Sequence, residues 1–225
     1  NDEEFFQGVK NFVDLGVSII GGCCGTNETF IKKICDNIDK LQKKEPKRRK
    51  STIVCSAAKY IDIKGPTIVG ERLNPTGRQL LIDAYVSGNN DYVINLALEQ
   101  SKEGSEILNV NVGVPDLDEE KTMKRVIKGI QEVVDVPLQL DSSNVKALES
   151  GLRYYNGRTI VNSVNGKEKS LETILPIVKK YGACLVGLTL DENGIPSTAE
   201  GRFNIAKKIV ERAEAFGIKR KDIFI

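Results

Sequence analysis

The chain has no histidine and no tryptophan among its 225 residues. Without an imidazole, Ser-His and Cys-His nucleophilic catalysis and any imidazole-ligated metal are excluded unless another chain supplies the ring. Long apolar runs are missing too, since none approaches the roughly 20 residues that a membrane-spanning helix needs. The opening Asn1-Asp2-Glu3-Glu4 lacks the basic start of a signal peptide, so a cytoplasmic location and no membrane partner are expected. Nor is there an excess of one charge. Lys and Arg number 33 against 31 Asp and Glu, a net +2, which gives no electrostatic reason to expect a nucleic-acid partner. The cysteine count of 5 is odd, which argues against a disulfide framework and for reduced thiols, some of them candidate ligands.

What is present is an ordered series of α and β signals. Phe5, Phe6, Val9 and Phe12 share one side of a helix expected over Glu3 to Leu15, and Val17 to Ile20 read as a buried strand. After Gly21-Gly22-Cys23-Cys24-Gly25-Thr26 a second helix is expected, with Phe30, Ile31, Ile34, Ile38 and Leu41 at its apolar spacing. Lys and Arg then dominate from Lys43 to Lys50 around Pro46, a pattern that breaks helix and stays solvated. The domain reading is therefore 1–45, a linker over 46–65, and 66–225. In the last region, strands are expected at Thr67–Gly70, Glu106–Val112, Val136–Leu140, Thr159–Val161, Ala183–Leu190 and Ile223–Ile225, and helices near 90–104, 118–134, 144–152, 170–181 and 199–217. Pro176 implies that the fourth helix is kinked or starts later. Such α/β repeats demand a parallel sheet covered by helices, either a (β/α)8 TIM barrel or an open doubly wound sheet.

Parallel-sheet enzymes place their sites at the carboxyl ends of the strands. Here those ends carry Glu71-Arg72-Leu73-Asn74, then Asn109 and Asn111, Asp141-Ser142-Ser143-Asn144, Asn162-Ser163 and Asp191-Glu192. Amides and carboxylates recur, with no Gly-x-Gly-x-x-Gly after a strand and one cation near the rim. That set suits a neutral, flat heterocycle with many donors and acceptors better than a phosphate or a dinucleotide, because each buried edge group needs its own partner. For any single residue, a turn former or helix cap is the commoner role. Cys23 and Cys24 stand between a strand and a helix start, where backbone N–H groups favour thiolate, and zinc or a structural cysteine pair fit equally well. Cys35, Cys55 and Cys184 read as small apolar residues.

Together, Val17 to Thr26, Gly70-Glu71-Arg72-Leu73-Asn74-Pro75-Thr76-Gly77-Arg78, Leu108-Asn109-Val110-Asn111-Val112-Gly113, Leu140 to Asn144, Ile160 to Ser163 and Asp222 to Ile225 resemble the cobalamin-dependent methionine synthase family over essentially the whole chain. The resemblance implies an incomplete, dihydropteroate synthase-like pterin-binding barrel, preceded by the last βα unit of a homocysteine-binding barrel. It implies that Cys23 and Cys24 hold zinc for homocysteine, with a third cysteine elsewhere. It also implies that Glu71, Asn74, Asn109, Asn111, Asp141, Asn144 and Asn162 line the pocket for 5-methyltetrahydrofolate, with Asn162 catalytic at N5. Cobalamin, carried as methylcobalamin on another domain or on a separate corrinoid protein, would relay the methyl group, and the fragment alone would be inactive. The resembled family usually has Asp at the position of Asn109. A folate-binding fragment without catalysis is a second reading, and a pterin-dependent methyltransferase that serves a separate corrinoid protein, with no homocysteine site, is a third.

Overall fold

The computed structural model describes residues 1–42, 44–45 and 51–225. Of the basic run from Lys43 to Lys50, only Lys44 and Glu45 therefore lie within the described residues. The chain divides into two compact units, Asn1–Lys50 and Ser51–Ile225.

In the first unit, α1 (Asp2–Asp14) starts at a capping box in which Asn1 accepts from the Glu4 N–H and Glu4 reaches back to Asn1. It packs Val9 and Val13 against Ile34 of α2 (Glu28–Cys35), and the rings of Phe5 and Phe30 meet edge to face at 5.2 Å. A 3-10 turn, Ile38–Lys40, replaces the last turn expected of α2. Val17 to Ile20 form no strand, and Ile19 is 91% exposed. An apolar run becomes a strand only when a neighbour pairs with its backbone groups, and the described residues of this unit contain none.

The second unit opens with a correction. Residues read as linker form a hairpin, β1 (Thr52–Cys55) antiparallel to β2 (Tyr60–Ile63). There follow β3 (Val69–Leu73), α3 (Gln79–Ser87), α4 (Asn90–Lys102), β4 (Ile107–Asn111), α5 (Glu119–Gln131), β5 (Leu138–Asp141), α6 (Val145–Tyr154), β6 (Ile160–Asn165), α7 (Glu168–Tyr181), β7 (Cys184–Leu188), α8 (Ala199–Ala215) and β8 (Ile223–Phe224). Helix α7 runs through Pro176 and starts before the expected point.

Strands β3 to β8 pair in parallel, in chain order. Right-handed crossovers that always step the same way put every helix on one face, whereas a doubly wound sheet reverses at a switch point. The unbroken order therefore selects the barrel type, and the fold is an incomplete (β/α) barrel of six parallel strands.

Side-chain alternation divides the strands between two environments. Leu108, Val110, Leu138, Leu140, Val161 and Leu185 face the helices, in one core with Met123, Ile127, Leu148, Leu171 and Ile209. Ile107, Ile160 and Cys184 take the concave face, where Val54 of the hairpin joins them. The hairpin is held there by reciprocal backbone bonds between Cys55 and Arg158, both 2.9 Å. Gly157 permits this approach, because a Cβ on it would lie 2.1 Å from the Cys55 carbonyl oxygen.

Candidate functional site

Above this apolar layer the concave face turns polar. Register places Asn111 beside Asp141 and Asp141 beside Asn162, so three adjacent strands present these side chains at one level. The pairing of β6 with β7 shifts between Asn162 and Val164, an irregularity of the kind that re-aims side chains at strand ends. One step lower, Asn109 is fully buried, donating from Nδ2 to Asp141 Oδ2 at 3.0 Å and accepting at Oδ1 from Gln139 Nε2 at 2.8 Å.

The other candidates keep a foot in local structure. Asn74 donates to Glu71 Oε1 at 2.8 Å while its own oxygen accepts from the Thr76 N–H at 3.1 Å. Asn111 Oδ1 accepts from the Gly113 N–H at 2.8 Å, an Asx turn. Asn144 caps α6, accepting from the N–H groups of Lys146 and Ala147. The cap role weighed for such residues is thus real for the Asn144 oxygen.

A cleft of about 420 Å³ opens at this edge, lined by Asp141, Ser142, Asn162, Ser163, Asn165, Lys167 and Lys169, among others. The structure therefore brings Asp141 and Asn162 into one cavity, sets Asn109 beneath it, and leaves Glu71 and Asn74 at the end of β3. The single rim cation apparent in the sequence, Arg72, pairs with Glu103. Lys167 and Lys169 reach the cleft instead. Sequence reasoning missed them because β6 runs four residues past its expected end. It also missed Gln139, hidden in an apolar run, and Glu119, which accepts from Ser142 Oγ at 2.8 Å. The signal for Gln139 was parity, as it alternates with Asp141 on one strand face.

In the first unit, Cys23 and Cys24 are exposed with their sulfurs 3.8 Å apart. That separation matches the edge of a tetrahedral site with Zn–S of about 2.3 Å, which is roughly 3.8 Å. The Cys24 backbone N–H, and then its thiol, lower the pKa of Cys23. These two donors fit zinc in chemistry and spacing, although no group of three or more His, Cys, Asp or Glu suited to a metal occurs among the described residues. No helix among them is long and apolar enough to cross a membrane.

Comparison with known proteins bears on the fold and the family. Residues 1–38 match the family described as Homocysteine S-methyltransferase. Over 99% of its length the chain is similar to the methionine synthases of Mycobacterium tuberculosis, at 26% identity, and Mycobacterium leprae, at 24%. It spans 20% of the length of each of these relatives. Among solved structures, 77% of the chain superposes on 63% of Yersinia pestis DHPS with a pterine-sulfa conjugate, at 17% identity and TM-score 0.56. Xanthomonas albilineans dihydropteroate synthase in complex with 7,8-dihydropteroate gives the same coverage at 16% identity and TM-score 0.54. With residues 70–225 matching the family described as Pterin binding enzyme, the chain belongs to that family.

Proposed function

We propose that the polar rim at the carboxyl ends of β3 to β6 binds the pterin ring of 5-methyltetrahydrofolate, as the methyl-donor half of a reaction that forms methionine from homocysteine. The observation that carries this reading is that Asn111, Asp141 and Asn162 stand at one level on three adjacent strands, with Asp141 and Asn162 lining a cleft large enough for a bicyclic ring. A carboxylate flanked by amides complements a ring edge that offers several N–H donors and carbonyl acceptors.

Within that pocket, Asp141 accepts from the ring's N–H groups while Asn111 and Asn162 hold it on either side. Loss of a methyl group from N5 leaves charge there, and Asn162, half-buried in the cleft, would donate a hydrogen bond that stabilises it. Glu71 and Asn74 close the β3 side. Cobalamin, held outside this chain, would accept the methyl group. In the first unit, Cys23 and Cys24 would contribute two ligands to a zinc ion, which supplies the Lewis acidity that turns a bound homocysteine thiol into a thiolate. The match of residues 1–38 to homocysteine methyltransferases supports that pairing of functions.

Calorimetric titration of 5-methyltetrahydrofolate tests the reading. Saturable one-to-one binding, lost in Asp141→Ala, is expected; no binding by the folded chain would overturn it.

A further inference from the structure

One buried residue of the second unit has no part in the function proposed above. Gln139 is 8% exposed, and beyond Asn109 its surroundings on the concave face are a cavity of about 340 Å³ lined by Ile107, Ile160, Val186 and Phe224 among others. A polar side chain in so apolar a setting is costly unless its hydrogen bonds do something a leucine could not.

The hydrogen bonds it makes have a forced direction. A carboxylate can only accept. Asn109 must therefore turn Nδ2, not Oδ1, toward Asp141, as the 3.0 Å contact requires. Its Oδ1 then points back at Gln139 and needs a donor, which Gln139 Nε2 supplies at 2.8 Å. Gln139, Asn109 and Asp141 form a relay in which every donor points toward the rim. The Asn109 oxygen is consumed by Gln139, and no atom of this fully buried side chain is exposed to the cleft. Asp141, half-buried, keeps Oδ1 for whatever binds there.

We propose that Gln139, acting through Asn109, is a positioning residue that fixes the Asp141 carboxylate for a ligand edge carrying adjacent N–H donors, and so sets the preference of the site for a 2-amino pterin over a 2-oxo ring. The proposal rests on the pterin reading of the rim. Replacing Gln139 by Glu keeps size and shape but puts an acceptor against the Asn109 oxygen. The amide then has reason to flip, which turns an oxygen toward Asp141 and unsettles its orientation. Gln139→Leu removes the donor without adding charge.

The test is the affinity of the native chain, Gln139→Glu and Gln139→Leu for 6-methyltetrahydropterin and for the matching 2-oxo lumazine, with unfolding midpoints recorded in parallel. Both variants should weaken pterin binding about tenfold, the effect of one lost hydrogen bond to a charged group, while lumazine binding stays nearly unchanged. Equal weakening of both ligands shows a merely structural role and overturns the inference, as does unchanged pterin affinity. If the native chain binds neither ring, the proposed function fails by itself. The relay is then judged from hydrogen exchange of the Asn109 side-chain amide, slow in the native chain and fast in both variants; equal exchange overturns it.

Discussion

Asn74 donates to the Glu71 carboxylate at 2.8 Å across the loop that leaves β3. The Asn74 oxygen is occupied by the Thr76 N–H, so the amide is held at both ends and fixes one oxygen of an otherwise exposed glutamate. Glu71→Ala should weaken binding of 5-methyltetrahydrofolate about tenfold by calorimetry. Its unfolding free energy should change by no more than about 0.5 kcal/mol, the range for an exposed surface site.

The hairpin makes a sharper prediction. Val54 is completely buried against Ile107, Ile160 and Cys184, so Val54→Ala should cost about 2 kcal/mol in chemical denaturation. A solvated linker at this position would tolerate the change. Gly157→Ala should be destabilising for the complementary reason, since the new Cβ meets the backbone of the hairpin.

Arg158 ties three segments together: its Nε donates to the Gly182 carbonyl and its Nη1 to the Ile53 carbonyl, both at 2.8 Å, and Nη2 pairs with Asp222 at 2.8 Å. Asp222 is 5% exposed. Arg158→Met leaves that buried carboxylate with Lys221 alone at 3.4 Å, and a loss of about 3 kcal/mol is expected in denaturant unfolding. Arg158→Lys should recover only part of it, because an ammonium cannot reproduce the fork.

The thiols should separate by reactivity. Cys23 is exposed with a lowered pKa, whereas burial pushes Cys184 up to about 12. At pH 8 a thiol with that pKa is ionised to about one part in ten thousand. Iodoacetamide followed by mass spectrometry should therefore mark Cys23 early and Cys184 only after unfolding. The sign for stability follows from the same shift. An unfolded Cys184 ionises near 9.0, before the folded one, so its contribution falls as pH rises from about 9 toward 12.

Much of this fold was legible because short apolar runs and helical periodicity mark βα units directly. Helix α3 was not, as Leu80, Leu81, Ile82, Ala84, Tyr85 and Val86 are nearly continuous and no strand separates it from α4. The choice between barrel and doubly wound sheet was invisible to pattern, since strand order is a tertiary property. Val17 to Ile20 looked like a strand, yet pairing needs a neighbour that composition cannot reveal. At the rim, residue types at strand ends singled out Asp141 and Asn162, and the structure sets both along one cleft. They could not show that Asn109 sits beneath it, because burial depth along a strand depends on how far the facing strands are staggered.

The central claim is that the carboxyl ends of β3 to β6 form one pterin pocket. An amide and side-chain NMR map recorded while 5-methyltetrahydrofolate is added tests it most directly. Shifts should concentrate at Glu71 to Asn74, Asn111, Asp141 to Asn144 and Asn162 to Asn165, leaving the hairpin Thr52 to Ile63 unmoved. Shifts centred on the hairpin end of the sheet, or none at saturating ligand, would contradict the account.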